Sequence, residues 1–115
     1  MPTLLPDQSS IDASRLWSRR RLDLRARLLT RQSAGGGVLV VHGRTVDVSR
    51  SGAGVTLTHE LASGTEVVLC LRLPGGGNTL CLRAVITRRR GFRAGLAFVQ
   101  PTAEQRLLLS ELCHA

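Results

Sequence analysis

Residues 66–87 constrain the fold more than any other part of this chain. Glu66–Leu73 and Thr79–Thr87 are apolar at every second position, and they flank Pro74-Gly-Gly-Gly-Asn78. A period of two marks a half-buried strand, and Pro, Gly and Asn between two such runs join them as a hairpin. Val67, Leu69, Leu71 and Leu73 share one face of the first strand; Leu80, Leu82, Ala84 and Ile86 share one face of the second. A register pairing Leu71 with Leu80 also pairs Leu69 with Leu82 and Val67 with Ala84. All then point to one core, and a one-residue slip would turn them to the solvent. The same register sets Cys70 against Cys81 on the opposite face, where the expectation is two small, half-buried thiols rather than a functional bridge.

The flanking sequence continues the pattern. A first strand is expected at Ala26–Gln32, a turn at Gly35–Gly37, and a long β-branched strand at Val38–Val48, bent at Gly43. Ser49–Gly52 reads as a tight connection and Ala53–Thr58 as the next strand. After the hairpin, Arg88–Gly91 predicts another turn. Phe92–Gln100 predicts a last strand, with Leu96 and Phe98 on one face, and Pro101 stops the sheet. Thr102-Ala-Glu-Gln105 matches a capping box. The helix it opens should run to about Cys113, with Ala103, Leu107, Leu108 and Leu112 as its apolar stripe. Six short antiparallel strands followed by one helix predict a mainly β fold. Such a sheet closes into a barrel to remove its edges, and the helix can cap an open end. Residues 1–18, with frequent Ser, Asp, Gln and Pro, read as a flexible N-terminal arm with a possible helical turn at Ser14–Trp17. Arg19–Arg25 reads as a basic connector, and 19–115 as one domain.

The charge is uneven. Sixteen basic residues, all Arg, stand against eight acidic ones, for a net charge of +8. Five of the sixteen arginines lie between Arg19 and Arg27, and four between Arg88 and Arg93. Such clusters imply an anionic partner. No apolar run approaches the ~20 residues of a membrane-spanning helix. The N-terminus lacks the basic-then-apolar order of a secretory signal, so a cytoplasmic location is expected. The initial Met and short arm read as a stand-alone adaptor. Cys70, Cys81 and Cys113, with His42, His59 and His114, show no metal-ligand spacing. No nucleophile motif or acid/base pair at recognisable spacing is present, so an enzyme is not expected. No metal or cofactor is expected either.

Two segments stand out. Arg20-Arg21-Leu22-Asp23-Leu24-Arg25 precedes the first strand, and Asp47-Val48-Ser49-Arg50-Ser51-Gly52 ends a strand. Their residue types suit a guanine ligand. A guanidinium fork matches the N7 and O6 acceptors of guanine, and its plane stacks on a purine. A carboxylate such as that of Asp47 suits guanine's N–H donors. Ser49 can hydrogen-bond base, ribose or phosphate, and Gly52 lets the backbone turn and approach a ligand without a Cβ.

The two segments resemble the signatures of the PilZ domain. Arg21 and Arg25 match its R-x-x-x-R, and Asp47, Ser49 and Gly52 match its [D/N]-x-S-x-x-G. Gly95-Leu96-Ala97-Phe98 before a short helix is similar as well. The resemblance covers Arg19 to the C-terminus. It implies a bacterial cyclic di-GMP receptor on a six-stranded split β-barrel, with Arg21, Arg25, Asp47 and Ser49 contacting the guanines. Arg20, just before the first motif, implies capture of a stacked ligand pair. The implied mechanism is a mobile arginine connector that folds over the ligand and changes a surface for a downstream protein. Arg88–Arg90 reads as a solvated turn or a secondary phosphate contact. Two rivals remain: a small basic barrel for single-stranded nucleic acid, and an interaction module of this fold that binds no ligand. The first is disfavoured because only Trp17, Phe92 and Phe98 could stack on bases.

Overall fold

A computed structural model describes residues 20–32, 35–75 and 77–114, so the expected N-terminal arm lies outside the described residues. The described chain forms seven strands and a helix: β1 (Arg20–Arg21), β2 (Arg25–Arg31), β3 (Val38–Val48), β4 (Gly52–Leu57), β5 (Glu66–Arg72), β6 (Thr79–Arg90), β7 (Arg93–Phe98) and α1 (Ala103–His114). All pairings are antiparallel. The order β3-β2-β5-β6-β7-β4 closes through a β3–β4 pairing into a six-stranded barrel, and β1 adds to the free stretch of β3 beyond β2. Closure removes the edges that an open sheet of this size would expose. No described helix is long and apolar enough to cross a membrane.

The hairpin has the expected register: Leu71 opposite Leu80, Leu69 opposite Leu82, Val67 opposite Ala84. Their side chains fill the barrel with Leu28, Val41, Val55, Ile86 and Leu96. Cys70 and Cys81 are the correction. They are directly opposed with Cα atoms 4.1 Å apart, and the structure joins them as a disulfide rather than leaving two thiols. So close a Cα approach belongs to a non-hydrogen-bonded pair, where facing side chains lie nearest. Cys113 is the remaining free cysteine. Its thiol donates to the Val48 carbonyl at 3.5 Å. Burial pushes this thiol up from its ordinary pKa, against the opposing pull of Arg50 and Arg20.

Two further expectations need revision. The turn placed at Arg88–Gly91 is strand up to Arg90. A register shift between Ile86 and Arg88 lets β6 run on, and Gly91 (φ 60°) and Phe92 make a two-residue loop between the paired Arg90 and Arg93. Glycine at the first central position is what a type II′ turn requires. The helix begins with the capping box as read: the Thr102 amide donates to Gln105 Oε1 at 2.9 Å, and the Gln105 amide donates to Thr102 Oγ1 at 3.1 Å. Its buried stripe is phased differently, however. Leu109 and Leu112 are buried, while Leu107 is 59% exposed. The Gln105 amide group also donates to the Cys81 carbonyl at 2.8 Å, which turns the 105–109–112 face to the barrel.

Two outcomes follow. Leu69→Ala empties space at the barrel centre and should lower unfolding stability by about 2–5 kcal/mol in urea titration. Air-oxidised, denatured protein should titrate as one thiol per chain, and as three after reduction.

Candidate ligand-binding face

The basic lead segment is fastened to β3. The Thr45 hydroxyl, buried, donates to the Leu22 carbonyl at 2.5 Å and accepts from the Leu24 amide at 2.8 Å. The Thr45 amide donates to the Leu24 carbonyl at 2.9 Å, and the Leu22 amide to the Val46 carbonyl at 3.2 Å. Residues 22–24 thus wrap the Thr45 side chain, and β1 and β2 form one interrupted strand along β3. From Arg20 onward the connector is docked on the barrel. Local charge repulsion favours mobility, but these backbone bonds outweigh it.

Docking puts the motif residues in register. Arg21 lies opposite Asp47, and Arg25 opposite Arg44. Residues opposed across antiparallel strands share a face, here the outside of the barrel. The pairing continues around it. Asp47 is opposite Gly54, Gly54 opposite Gly95, and Gly95 opposite Arg88. One row therefore crosses five strands: cation, carboxylate, two glycines, cation. At roughly 4.8 Å per strand the row spans about 19 Å. A second row lies about 7 Å further along the strands. It contains Arg25, Arg44, Thr56, Arg93 and Arg90, each opposite the next. Six exposed arginines thus surround the Asp47 carboxylate and the two glycines beside it. A groove of about 580 Å³ runs along Asp47, Gly54, Gly95, Arg88, Arg90 and Arg93.

Physical costs mark this face as built for something other than stability. Arg25 against Arg44, and Arg93 against Arg90, are like-charge cross-strand pairs, which repel. The ion pair of Arg44 with Asp23 is solvent-exposed and offsets little. Asp47 is held where the β3–β4 register shifts, its Oδ1 accepting from the Gly54 amide at 3.0 Å. A Cβ on Gly54 would stand 3.0 Å from that oxygen, so the carboxylate needs glycine beside it.

The other motif residues point elsewhere. The buried Ser49 hydroxyl accepts from the Ser51 amide at 3.2 Å and the Gly52 amide at 3.1 Å, closing the β3–β4 turn. Gly52 is glycine because a Cβ would overlap the Leu96 carbonyl oxygen of β7. Its close approach is to a neighbouring strand, where the sequence reading assigned it to a ligand. Arg20 is turned away from Asp47: its Nη1 donates to the Leu112 carbonyl at 3.0 Å, near the C-terminal end of α1. A cation suits that negative pole.

Arg44, Gly54, Gly95 and Arg93 were not singled out from sequence as site residues, and Arg88–Arg90 read as a solvated turn or a secondary phosphate contact. The run of arginines before Gly91 was the available signal. What was missing was the β4–β7 pairing, which brings that hairpin beside Asp47.

Comparisons with known proteins agree with this architecture. The family model described as the PilZ domain matches residues 14–115. The crystal structure of the PilZ domain of CeSA from a cellulose-synthesizing bacterium is similar with a TM-score of 0.62 and 25% identity, over 83% of this chain and 93% of that one. The Bacillus subtilis inhibitor of motility MotI/DgrA is similar in fold, with a TM-score of 0.65 and 20% identity over 84% of this chain. This chain spans about half of that protein, 47% of its length. No curated protein matches in sequence. With its motifs, barrel and helix in the family's order, the chain belongs to the PilZ domain family, a family of cyclic di-GMP-binding and adaptor modules rather than enzymes.

Proposed function

We propose that this chain is a cyclic di-GMP receptor that takes the messenger on the outer face between Arg21 and Arg88. The observation that carries the reading is the row Arg21–Asp47–Gly54–Gly95–Arg88. Gly54 and Gly95 add no side chain of their own beneath a guanine lying across them, and the Asp47 carboxylate and the Thr87 hydroxyl border that space. Its N1–H and N2–H groups reach the Asp47 carboxylate, while a guanidinium fork takes N7 and O6. The second row, with Arg25, Arg44, Arg90 and Arg93, faces the ribose-phosphate ring and offsets its two charges. Ser49 and Gly52 act one step back, by setting the turn that aims Asp47. The arginines on both sides of the floor suit two stacked ligands, the stoichiometry we assign.

The response follows from Arg20. With the backbone of residues 20–25 anchored by Thr45, ligand capture acts through side chains and through the chain before Arg20. A phosphate competes with the Leu112 carbonyl for the Arg20 guanidinium. Its transfer would release the end of α1 and alter the surface offered to a downstream protein. The reading places the chain in the bacterial cytoplasm, where reducing conditions would keep Cys70 and Cys81 as a dithiol. None of the proposed contacts uses that pair.

Calorimetric titration with cyclic di-GMP should give two ligands per chain; a ratio of one would rule out the stacked pair. Arg21→Ala and Asp47→Ala should each weaken binding by about tenfold or more. Gly95→Val should do the same with stability retained, because it fills the floor while a β-branched residue suits the strand. Binding that ignores guanine and falls steeply with salt would favour the nucleic-acid rival instead. Arg20→Gln should speed amide exchange in the last turn of α1 in the ligand-free protein, and so mimic the bound state there.

A further inference from the structure

A second cationic groove adjoins the first face at Arg25 and Arg44 and runs across β3, β2, β5 and β6. It encloses about 530 Å³ and is lined by Arg25, Arg27, His42, Arg44 and Arg72, with Thr58 and Thr79 at its edge. The register explains the convergence: His42 lies opposite Arg27, Arg27 opposite Cys70, and Arg44 opposite Arg25. The volume is that of a small-ligand site. Its chemistry differs from that of the Asp47 groove in two respects. No Asp or Glu lines it, so nothing there accepts from the N–H edge of a guanine. Among the described residues no Phe, Tyr or Trp lines it, so any stacking on a base is left to the guanidinium planes and the His42 ring, neither of which selects one base over another. What converges is four guanidiniums, an imidazole and the Thr79 hydroxyl, groups suited to phosphate oxygens, with Arg44 also paired to Asp23 and the Thr58 hydroxyl donating to the His42 carbonyl.

We propose that this groove is a separate site for a short phosphate chain, recognised by its charge and oxygens and not by any base attached to it. Arg27 and Arg72 are its distinguishing residues, since both are exposed and neither lies on the rows that carry Asp47. Guanidinium forks on adjacent strands, roughly 5 Å apart, match successive phosphates of one chain better than a single phosphate. The groove shares Arg25 and Arg44 with the proposed messenger face, and Arg27 and Arg72 tell the two apart.

The test titrates the full chain with sodium tripolyphosphate, ATP without metal, and orthophosphate in about 150 mM salt, where exposed charges are screened beyond ~8 Å. The expected result is saturable binding of one tripolyphosphate, ATP within a few-fold of it, and orthophosphate far weaker. The double variant R27Q/R72Q should lose tenfold or more in tripolyphosphate affinity while keeping the wild-type melting temperature. R88Q/R90Q should keep it. Absence of saturation at roughly 1 mM overturns the proposal. Equal weakening by both double variants overturns it too, because net charge would then be the cause. ATP binding tenfold tighter than tripolyphosphate shows that a base is read, and a polyglutamate peptide binding tighter shows a carboxylate partner. Either result also overturns it.

Discussion

The pairing of β3 on both of its edges is the constraint on which the rest of the molecule depends. One edge takes β2 and β1; the other takes β4 and closes the barrel. Its inward residues Val41 and Val48 are core, and its inward Thr45 is polar yet buried because its hydroxyl serves two backbone groups of the lead segment. Satisfying those groups removes the penalty of burying them and fastens a strongly cationic stretch that would otherwise repel itself away. The outward residues Arg44 and Asp47 are thereby placed opposite Arg25 and Arg21. A slip of β3 by one residue would break the core and this arginine-rich face together.

That coupling explains why repulsive contacts can persist. Cross-strand Arg–Arg pairs are poor choices for stability alone, yet they collect on one side of the barrel. Local conflicts of this kind gather at functional sites, where the surrounding fold over-determines the arrangement. Here the surrounding fold is a closed barrel with a dense apolar interior, which keeps its register under a few unfavourable surface contacts.

What was legible in the sequence was local. The Leu71–Leu80 register follows from alternation and a short turn, the Thr102–Gln105 cap from a four-residue pattern, and Asp47 and Arg21 from motifs each within a few residues. What was not legible depends on distant partners. Arg90 and Arg93 join the face only because β7 pairs with β4, a contact that neither strand announces. Leu109 replaces Leu107 in the core because Gln105 reaches the Cys81 carbonyl. The bond from Arg20 to the Leu112 carbonyl exists only because the end of α1 arrives beside it. Ser49 and Gly52 carry the right motif, but local geometry assigns the hydroxyl to a turn and the missing Cβ to a neighbouring strand.

The account turns on a purine lying over the glycine floor, and backbone amide shifts on titration with cyclic di-GMP test that placement directly. Saturable shifts centred on Gly54 and Gly95, and lost in Asp47→Ala, are the predicted result. Shifts confined to other strands, with the Gly54 and Gly95 amides unmoved at saturation, would contradict it.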